Sequence, residues 1–135
     1  MYKNILVPIL FDEGHDSAAS FAMAQALADE GAKFTVVHVL EIMPSYMIAG
    51  IPSDLLRDNS RGIEESLNEA AKALPGAEAL MIQGHPGRAI VDYAAENDVD
   101  CIIIASHKLG FSDIFLGSTA AKVVRHAKCS VHVIR

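Results

Sequence analysis

The chain of 135 residues carries 11 Lys and Arg against 17 Asp and Glu, and 51% of its residues are hydrophobic. This length supports one domain, residues 1–135, with a sizeable core. No apolar run approaches the roughly 20 residues of a membrane span, and no Lys/Arg cluster could follow a phosphate backbone, so neither membrane nor nucleic acid is expected as a partner. The first apolar run is too short for a signal peptide, which indicates a cytoplasmic protein.

Strand and helix patterns alternate along the whole chain. Short runs rich in β-branched and apolar residues predict five strands, at 3–9, 34–40, 79–83, 101–105 and 130–134. Helical spacing predicts four helices, at 16–30, from 53 to the Pro75-Gly76 pair, at 87–97 and at 118–127. Asp16 is expected to cap the first helix, Gly31 to end it, and Pro86 to start the third. Residues 41–52, which include two prolines, are expected to form a long loop.

This alternation predicts an α/β fold, a doubly wound parallel sheet of five strands with helices on both faces. Ligands of such folds bind outside the carboxyl ends of the strands, where the strand order reverses. After the fourth strand, Gly117-Ser118-Thr119 opens the last helix, with Ser118 expected at the cap position. The backbone N–H groups of a strand end, a loop and a helix start suit a phosphate.

No motif typical of catalysis is present. The sequence has no Gly-x-Ser-x-Gly elbow, no phosphate-binding P-loop and no His-Glu-x-x-His. Ser118, His107 and Asp113 would supply a nucleophile, a base and an orienting group only if the loop between them placed them together. No catalytic residue is therefore assigned.

Histidines and cysteines within the strands are expected to be structural. His38 and His132 lie in apolar strands without a carboxylate or cysteine at ligand spacing, so they are interpreted as packed or edge residues and no metal site is predicted. Cys101 and Cys129 are far apart in the sequence and lie beside apolar strand residues. They are predicted to be buried free thiols.

Five segments in the same order along the chain resemble the universal stress protein family: MYKNILVP at 1–8, VVHV at 36–39, GHP at 84–86, IIASH at 103–107, and GS at 117–118 followed by RHAKCSV at 125–131. The resemblance implies a Rossmann-like sheet of strand order 3-2-1-4-5 and a homodimer. In many members it also implies ATP, with or without Mg²⁺, bound with little or no turnover, and a role in stress response or signalling.

Members that bind ATP commonly carry Gly-x2-Gly-x9-Gly-Ser/Thr before the last helix. Here Ala105 and Lys108 replace the first two glycines, and the span to Gly117 is one residue shorter. The chain thus resembles a short-loop branch with Ala-Ser-His-Lys or Ala-Ser-His-Arg before the loop. Leu10 stands where the family often has an Asp that contacts the nucleotide, and Asp12 follows two residues later.

The resemblance implies three groups of nucleotide contacts. The adenine is expected over Pro8, Ile9 and Val39, with Leu10 beside it and the base edge at the backbone of the second strand. The side chain of Val39 itself is expected in the core of the sheet. The phosphates are expected on the N–H groups of the helix start, with the preceding loop closing the site. These phosphate-side residues are Ala105, Ser106, His107, Lys108, Gly117, Ser118 and Thr119.

The last strand is expected at a sheet edge, where unpaired backbone groups invite pairing with a second copy. Ser130, Val131 and Val133 are predicted to form an antiparallel homodimer contact. The alternative to a nucleotide-binding protein is a nucleotide-free interaction protein of the same fold. A third interpretation is a very slow ATP hydrolase.

Overall fold

The computed structural model describes residues 1–9, 17–106 and 116–135. The elements in these ranges, in chain order, are β1 (Tyr2–Pro8), α1 (Ala18–Leu27), β2 (Ala28–Leu40), α2 (Ser45–Ile48), α3 (Ser53–Ala71), β3 (Glu78–Gln83), α4 (Pro86–Glu96), β4 (Cys101–Ala105), α5 (Ser118–His126) and β5 (Ser130–Ile134). In the same ranges, no helix is long and apolar enough to cross a membrane.

The strands form one parallel sheet of order β3-β2-β1-β4-β5, as predicted. Parallel strands covered on both faces are made of nearly continuous apolar residues, and the central strands fit this rule. Ile5, Leu6 and Val7 of β1 are fully buried, as are Ile102 and Ile103 of β4. The strand order reverses between β1 and β4, which is the position where folds of this type bind ligands.

Successive residues along each strand point to opposite faces, and this alternation divides the core into two clusters. On one face, α1 and α3 contribute Phe21 and Leu67 to a cluster that includes Val7 and Ile103. On the other face, α4 and α5 contribute residues including Ile90 to the second cluster. The helices therefore cover both faces of the sheet.

Asp100 joins the amino ends of β1 and β4. Its carboxylate accepts hydrogen bonds from the backbone N–H groups of Lys3 at 2.8 Å and Asn4 at 3.0 Å. The Asn4 side chain in turn donates to the carbonyl oxygens of Asn97 and Asp98. This network lies at the amino edge of the sheet, opposite the edge where ligands bind in such folds.

The first helix is shorter than predicted, because strand pairing replaces its last turn. Tyr2 pairs with Ala28, so β2 begins at the residue where the helical pattern would have continued. Gly31 has a φ of 77°, but it lies in the irregular start of β2 and does not follow the helix as its C′ residue. Asp16, the expected cap, lies outside the described residues. Ser17 precedes the helix without a side-chain capping bond.

The segment 41–52 is not simply a loop, as predicted, because it contains the short helix α2. The N–H of Met47 donates to the carbonyl of Pro44 at 2.9 Å, and the N–H of Ile51 donates to the carbonyl of Ile48 at 3.0 Å. The following helix, α3, ends at Ala71, a few residues before the Pro75-Gly76 pair that was expected to stop it. β2 begins at Ala28, six residues before its predicted start at residue 34, whereas the remaining predicted boundaries differ from the observed ones by one or two residues or agree with them.

Candidate functional site

The β1 side of the carboxyl edge is formed by Pro8, Ile9 and Val39. The N–H of Ile9 donates to the carbonyl of Val37 at 2.8 Å, which continues the sheet one residue beyond the end of β1. Ile9 is 2% exposed and Val39 is 8% exposed, so their side chains belong to the core, as predicted for Val39. An adenine at this edge would therefore meet backbone edges rather than these side chains.

The β4 side is organised by Ser106, the residue immediately after the strand. Its N–H donates to the carbonyl of Ile134 at 2.7 Å, which ties it to β5. Its side-chain oxygen Oγ accepts the N–H of Gly117 at 3.2 Å. This second bond joins two residues 11 positions apart and brings the start of α5 to the end of β4. The predicted phosphate-side residues Ser106 and Gly117 are thus in contact.

Ser118 does not cap α5, contrary to the prediction. The cap residue is Gly117, whose carbonyl accepts the N–H of Ala121 at 2.8 Å, and no side chain makes a capping bond within the first turn. Ser118 is the first helical residue, and its side chain is exposed. The side chain that accepts a backbone N–H at this helix start, that of Gly117, is instead Ser106. In ordinary capping, the accepting side chain belongs to a residue next to the helix.

The start of α5 has the electrostatics of an anion site. The first N–H groups of a helix lack intrahelical acceptors, and aligned peptide dipoles place about half a positive charge at this end. Because Ser106 engages the N–H of Gly117, that group is not open to a ligand as expected, and the donors left in the first turn include the N–H groups of Ser118 and Thr119. The exposed Ser118 hydroxyl adds a third polar group.

His38 lies near the carboxyl edge, and its place in an apolar strand had predicted only a packed or edge residue. Its Nδ1 lies 3.0 Å from the carbonyl oxygen of Ile9, and because a carbonyl can only accept, Nδ1 donates in this bond. The half-buried ring therefore holds the residue that follows β1. The only indication of this role in the sequence was the presence of a polar residue within a Val-rich strand, immediately before Val39.

Three of the predicted site residues, Leu10, His107 and Lys108, lie outside the described residues, as do Asp12 and Asp113. In the ranges that the structure describes, no group of three or more His, Cys, Asp or Glu side chains could hold a metal ion.

The two thiols lie at the amino ends of β4 and β5, away from the carboxyl edge. Both are free, as predicted, although only Cys101 is fully buried and Cys129 is half-buried. Burial raises the pKa of the Cys101 thiol from 9.0 to about 11, with smaller contributions from Cys129 and Asp100. Burial also raises the pKa of Cys129. Both thiols are therefore protonated and weakly nucleophilic at neutral pH.

A cleft of about 330 Å³ lies beside the end of α3 and is lined in part by Asn68, Lys72 and Pro75. It is found near the start of β3, at the amino edge of the sheet, and contains none of the predicted site residues. The candidate site is therefore the carboxyl edge between β1 and β4.

Comparison with known proteins gives one consistent family. The model of the universal stress protein family matches residues 1–135. A Thermus aquaticus protein named "universal stress protein in QAH/OAS sulfhydrylase 3′ region" is 33% identical over 138 residues, with 100% of both chains covered. The solved structure of universal stress protein UspA from Lactobacillus plantarum is 26% identical, with a TM-score of 0.77 and 99% and 98% of the two chains covered.

Other similar structures contain nucleotides. A universal stress protein in complex with cAMP is 25% identical, with a TM-score of 0.63 and 99% and 97% of the two chains covered. An Arabidopsis thaliana family member with AMP bound and an Archaeoglobus fulgidus member in complex with dAMP are 20% and 22% identical, each with a TM-score of 0.63. The last two structures have the same fold as this chain.

Proposed function

The chain belongs to the universal stress protein family, and on that premise we propose that it binds an adenine nucleotide, ATP, at the carboxyl edge between β1 and β4. The similar structure in complex with cAMP supports an adenine nucleotide as the class of ligand. ATP is an adenine nucleotide with further phosphate groups, and the start of α5 offers backbone N–H donors to phosphates.

The observation that carries this proposal is the bond between the Gly117 N–H and the Ser106 Oγ. It fixes the positive end of α5 beside the crevice where α/β folds of this type bind ligands. We assign the adenine to the backbone edges of Pro8, Ile9 and Val39. The phosphates are assigned to the N–H groups of Ser118 and Thr119.

The loop residues complete the proposed site. Lys108 and His107 would add positive charge or hydrogen-bond donors to the phosphates, and Leu10 would lie beside the base. Ala105 ends β4, and alanine can take most of the backbone conformations of the glycine that the family often has at this position.

The proposed role is binding without rapid turnover, in a cytoplasmic protein that acts in stress response or signalling through its bound state. Fast phosphoryl transfer requires metal ions and a group that positions the nucleophile, and the sequence contains no motif that supplies them. Steady-state hydrolysis faster than about one ATP per second, abolished by a substitution in the site, would make the protein an enzyme instead.

Calorimetry on two variants of Ser118 tests the phosphate assignment. Ser118→Asp places a carboxylate about 5 Å from the phosphates, where repulsion at an effective dielectric of about 20 to 80 amounts to about 1–3 kcal/mol. We therefore expect ATP binding to weaken roughly ten- to a hundredfold. Folding should be unaffected, because the side chain is exposed and an acidic residue is favourable in the first turn of a helix.

Ser118→Asn is the matched control, because it has nearly the same shape as the Asp variant without the charge. It should bind ATP nearly as well as the wild-type protein. If the Asp variant binds as tightly as the Asn variant, the phosphates lie elsewhere.

We also propose a homodimer through β5, which lies at the edge of the sheet. The carbonyl of Ile134 faces β4, because it accepts the N–H of Ser106, so the backbone groups of Val131 and Val133 face the open edge. Ser130 has the same parity as Ile134 and faces β4, so Val131 and Val133 supply the groups for the proposed antiparallel pairing, and Ser130 lies at the end of the contact. Val133→Pro removes an outward donor without breaking the bonds to β4, and it should dissociate the dimer in sedimentation experiments. If the Val133→Pro variant sediments like the wild-type protein, the dimer does not form through β5.

One sequence feature favours the second candidate, a nucleotide-free interaction protein of the same fold. Leu10 stands where family members often have a nucleotide-contacting Asp. This candidate predicts no heat of ATP binding for the wild-type protein, whereas the favoured proposal predicts saturable binding to one site per chain.

A further inference from the structure

The carbonyl oxygen of Ile9 does not continue the hydrogen-bond ladder between β1 and β2. In a parallel ladder, a residue that donates to one residue of the neighbouring strand accepts the N–H two positions further along that strand. Because Ile9 donates to the carbonyl of Val37 at 2.8 Å, its own carbonyl would regularly accept the N–H of Val39. In the structure, the Nδ1 of His38 lies 3.0 Å from this oxygen instead. A side-chain donor therefore takes the place of the next backbone donor.

The N–H of Val39 consequently lacks the partner that the ladder would give it. Among residues 1–9, 17–106 and 116–135, no backbone hydrogen bond joins Val39 to Ile9. Val39 is only 8% exposed, and the backbone groups of residues this buried are nearly always paired. The N–H and carbonyl of one strand residue point to the same neighbouring strand, so both groups of Val39 face the β1 side of the carboxyl edge. A donor left open at this position indicates that a ligand supplies the acceptor.

His38 holds the Ile9 carbonyl from the face of the sheet that α1 and α3 cover. Val36 belongs to the core cluster of that face, whereas Val37 and Val39 belong to the cluster under α4 and α5. Alternation along the strand places the His38 ring on the same face as Val36. The Val39 N–H is therefore approachable from the other face, where α5 begins and where the phosphates are assigned. One nucleotide on that face can reach both positions.

The two open backbone groups of Val39 are complementary to the Watson–Crick edge of adenine. N1 of this base is an acceptor for the N–H, and the amino group on the neighbouring carbon is a donor for the carbonyl. Guanine has a proton on N1 and an oxygen on that carbon, so the same pose would set donor against donor and acceptor against acceptor. A site built from such backbone groups rejects a base that leaves them unpaired.

We infer that His38 is a positioning residue for base recognition, which occupies the Ile9 carbonyl and thereby keeps the Val39 N–H open for N1 of adenine. This role rests on the proposed nucleotide site and explains why the backbone can read a base there. Without the His38 donor, the Ile9 carbonyl would lose its partner, at a cost that pairing with the Val39 N–H removes. The ladder would then close over the group that contacts the base.

Two variants of nearly equal shape separate the donor from the bulk of the side chain. His38→Asn keeps a donor nitrogen on Cγ, where histidine has Nδ1, and should keep the bond to Ile9. His38→Leu has the same branched shape without a donor. In nucleotide-free protein, the NMR scalar coupling between the Val39 nitrogen and the Ile9 carbonyl carbon, which reports a hydrogen bond, should appear only in the Leu variant. The coupling between the Ile9 nitrogen and the Val37 carbonyl carbon is the internal control, expected in all three proteins.

Calorimetry with ATP and 1-deaza-ATP, in which C–H replaces N1, tests the contact with the base. The wild-type protein and the Asn variant should bind ATP about five- to tenfold more tightly than 1-deaza-ATP. The Leu variant should bind ATP about five- to tenfold more weakly than the wild-type protein and should no longer distinguish the two nucleotides. General damage to the site would instead weaken both nucleotides equally.

The inference is overturned if the wild-type protein shows the coupling between Val39 and Ile9, if the Leu variant lacks it, or if the Leu variant keeps the preference for ATP over 1-deaza-ATP. A wild-type protein that binds neither nucleotide would refute the proposed function and with it the contact to the base. The couplings are measured without nucleotide, so they decide the exchange of partners at Ile9 in either case.

Discussion

Replacing Ser106 and Ser118 separately by alanine tests which of the two side chains stabilises the start of α5. The sequence pattern assigns the capping role to Ser118, whereas in the structure Ser106 accepts the Gly117 N–H at 3.2 Å. A neutral, partly buried hydrogen bond of this length contributes about 1 kcal/mol to stability. For a domain of this size, we expect Ser106→Ala to lower the melting temperature by about 3–4 °C.

Ser118→Ala should change the free energy of unfolding by less than about 0.5 kcal/mol, because the side chain is exposed and makes no capping bond. The assay is urea and thermal unfolding followed by circular dichroism, with both single variants measured beside the wild-type protein. A cost of about 1 kcal/mol for Ser118→Ala, with little effect of Ser106→Ala, would restore the prediction from the sequence and refute the role of Ser106.

Two further predictions concern packing and pH. Gly87→Ala should destabilise the protein by about 1–3 kcal/mol in urea unfolding, because a Cβ there would lie 2.8–2.9 Å from the stem of Lys122. The matched Gly62→Ala should stabilise it by about 0.5–1 kcal/mol at low concentration, because its Cβ enters open space in a helix. The pKa of Cys101, raised from 9.0 to about 11, means that the folded state keeps a proton which the unfolded state loses, so stability falls with rising pH across this window. The stability advantage of the wild-type protein over Cys101→Ala should shrink by about 2 kcal/mol between pH 8 and 10.5, and a constant difference would contradict the raised pKa.

Sequence reasoning predicted those features that depend on local composition. The apolar runs of the strands, the start of α4 at Pro86 and the burial of Val39 follow from neighbouring residues and were confirmed. The predicted end of α1 was wrong, because β2 begins where Ala28 pairs with Tyr2, a residue distant in the sequence. A helical pattern contains no information about a strand that competes for the same backbone groups.

The same limit applies to the candidate site. Ser106 and Gly117 were both predicted as site residues, but their hydrogen bond could not be, because it joins the end of β4 to the start of α5 across 11 positions of the sequence. The bond between His38 and Ile9 likewise crosses from one strand to the next. The register of β1 and β2 creates this contact, and the register becomes visible only in the folded sheet.

The most direct test of nucleotide binding at the carboxyl edge is a titration of ¹⁵N-labelled protein with ATP, followed by amide chemical shifts. The account predicts saturable shifts at Ser118, Thr119 and Val39, while the amide of Cys129, at the opposite edge, stays unchanged. Ser118→Asp should move the saturation of these shifts to ATP concentrations roughly ten- to a hundredfold higher. Shifts confined to other regions, or none at all at millimolar ATP, would contradict the account.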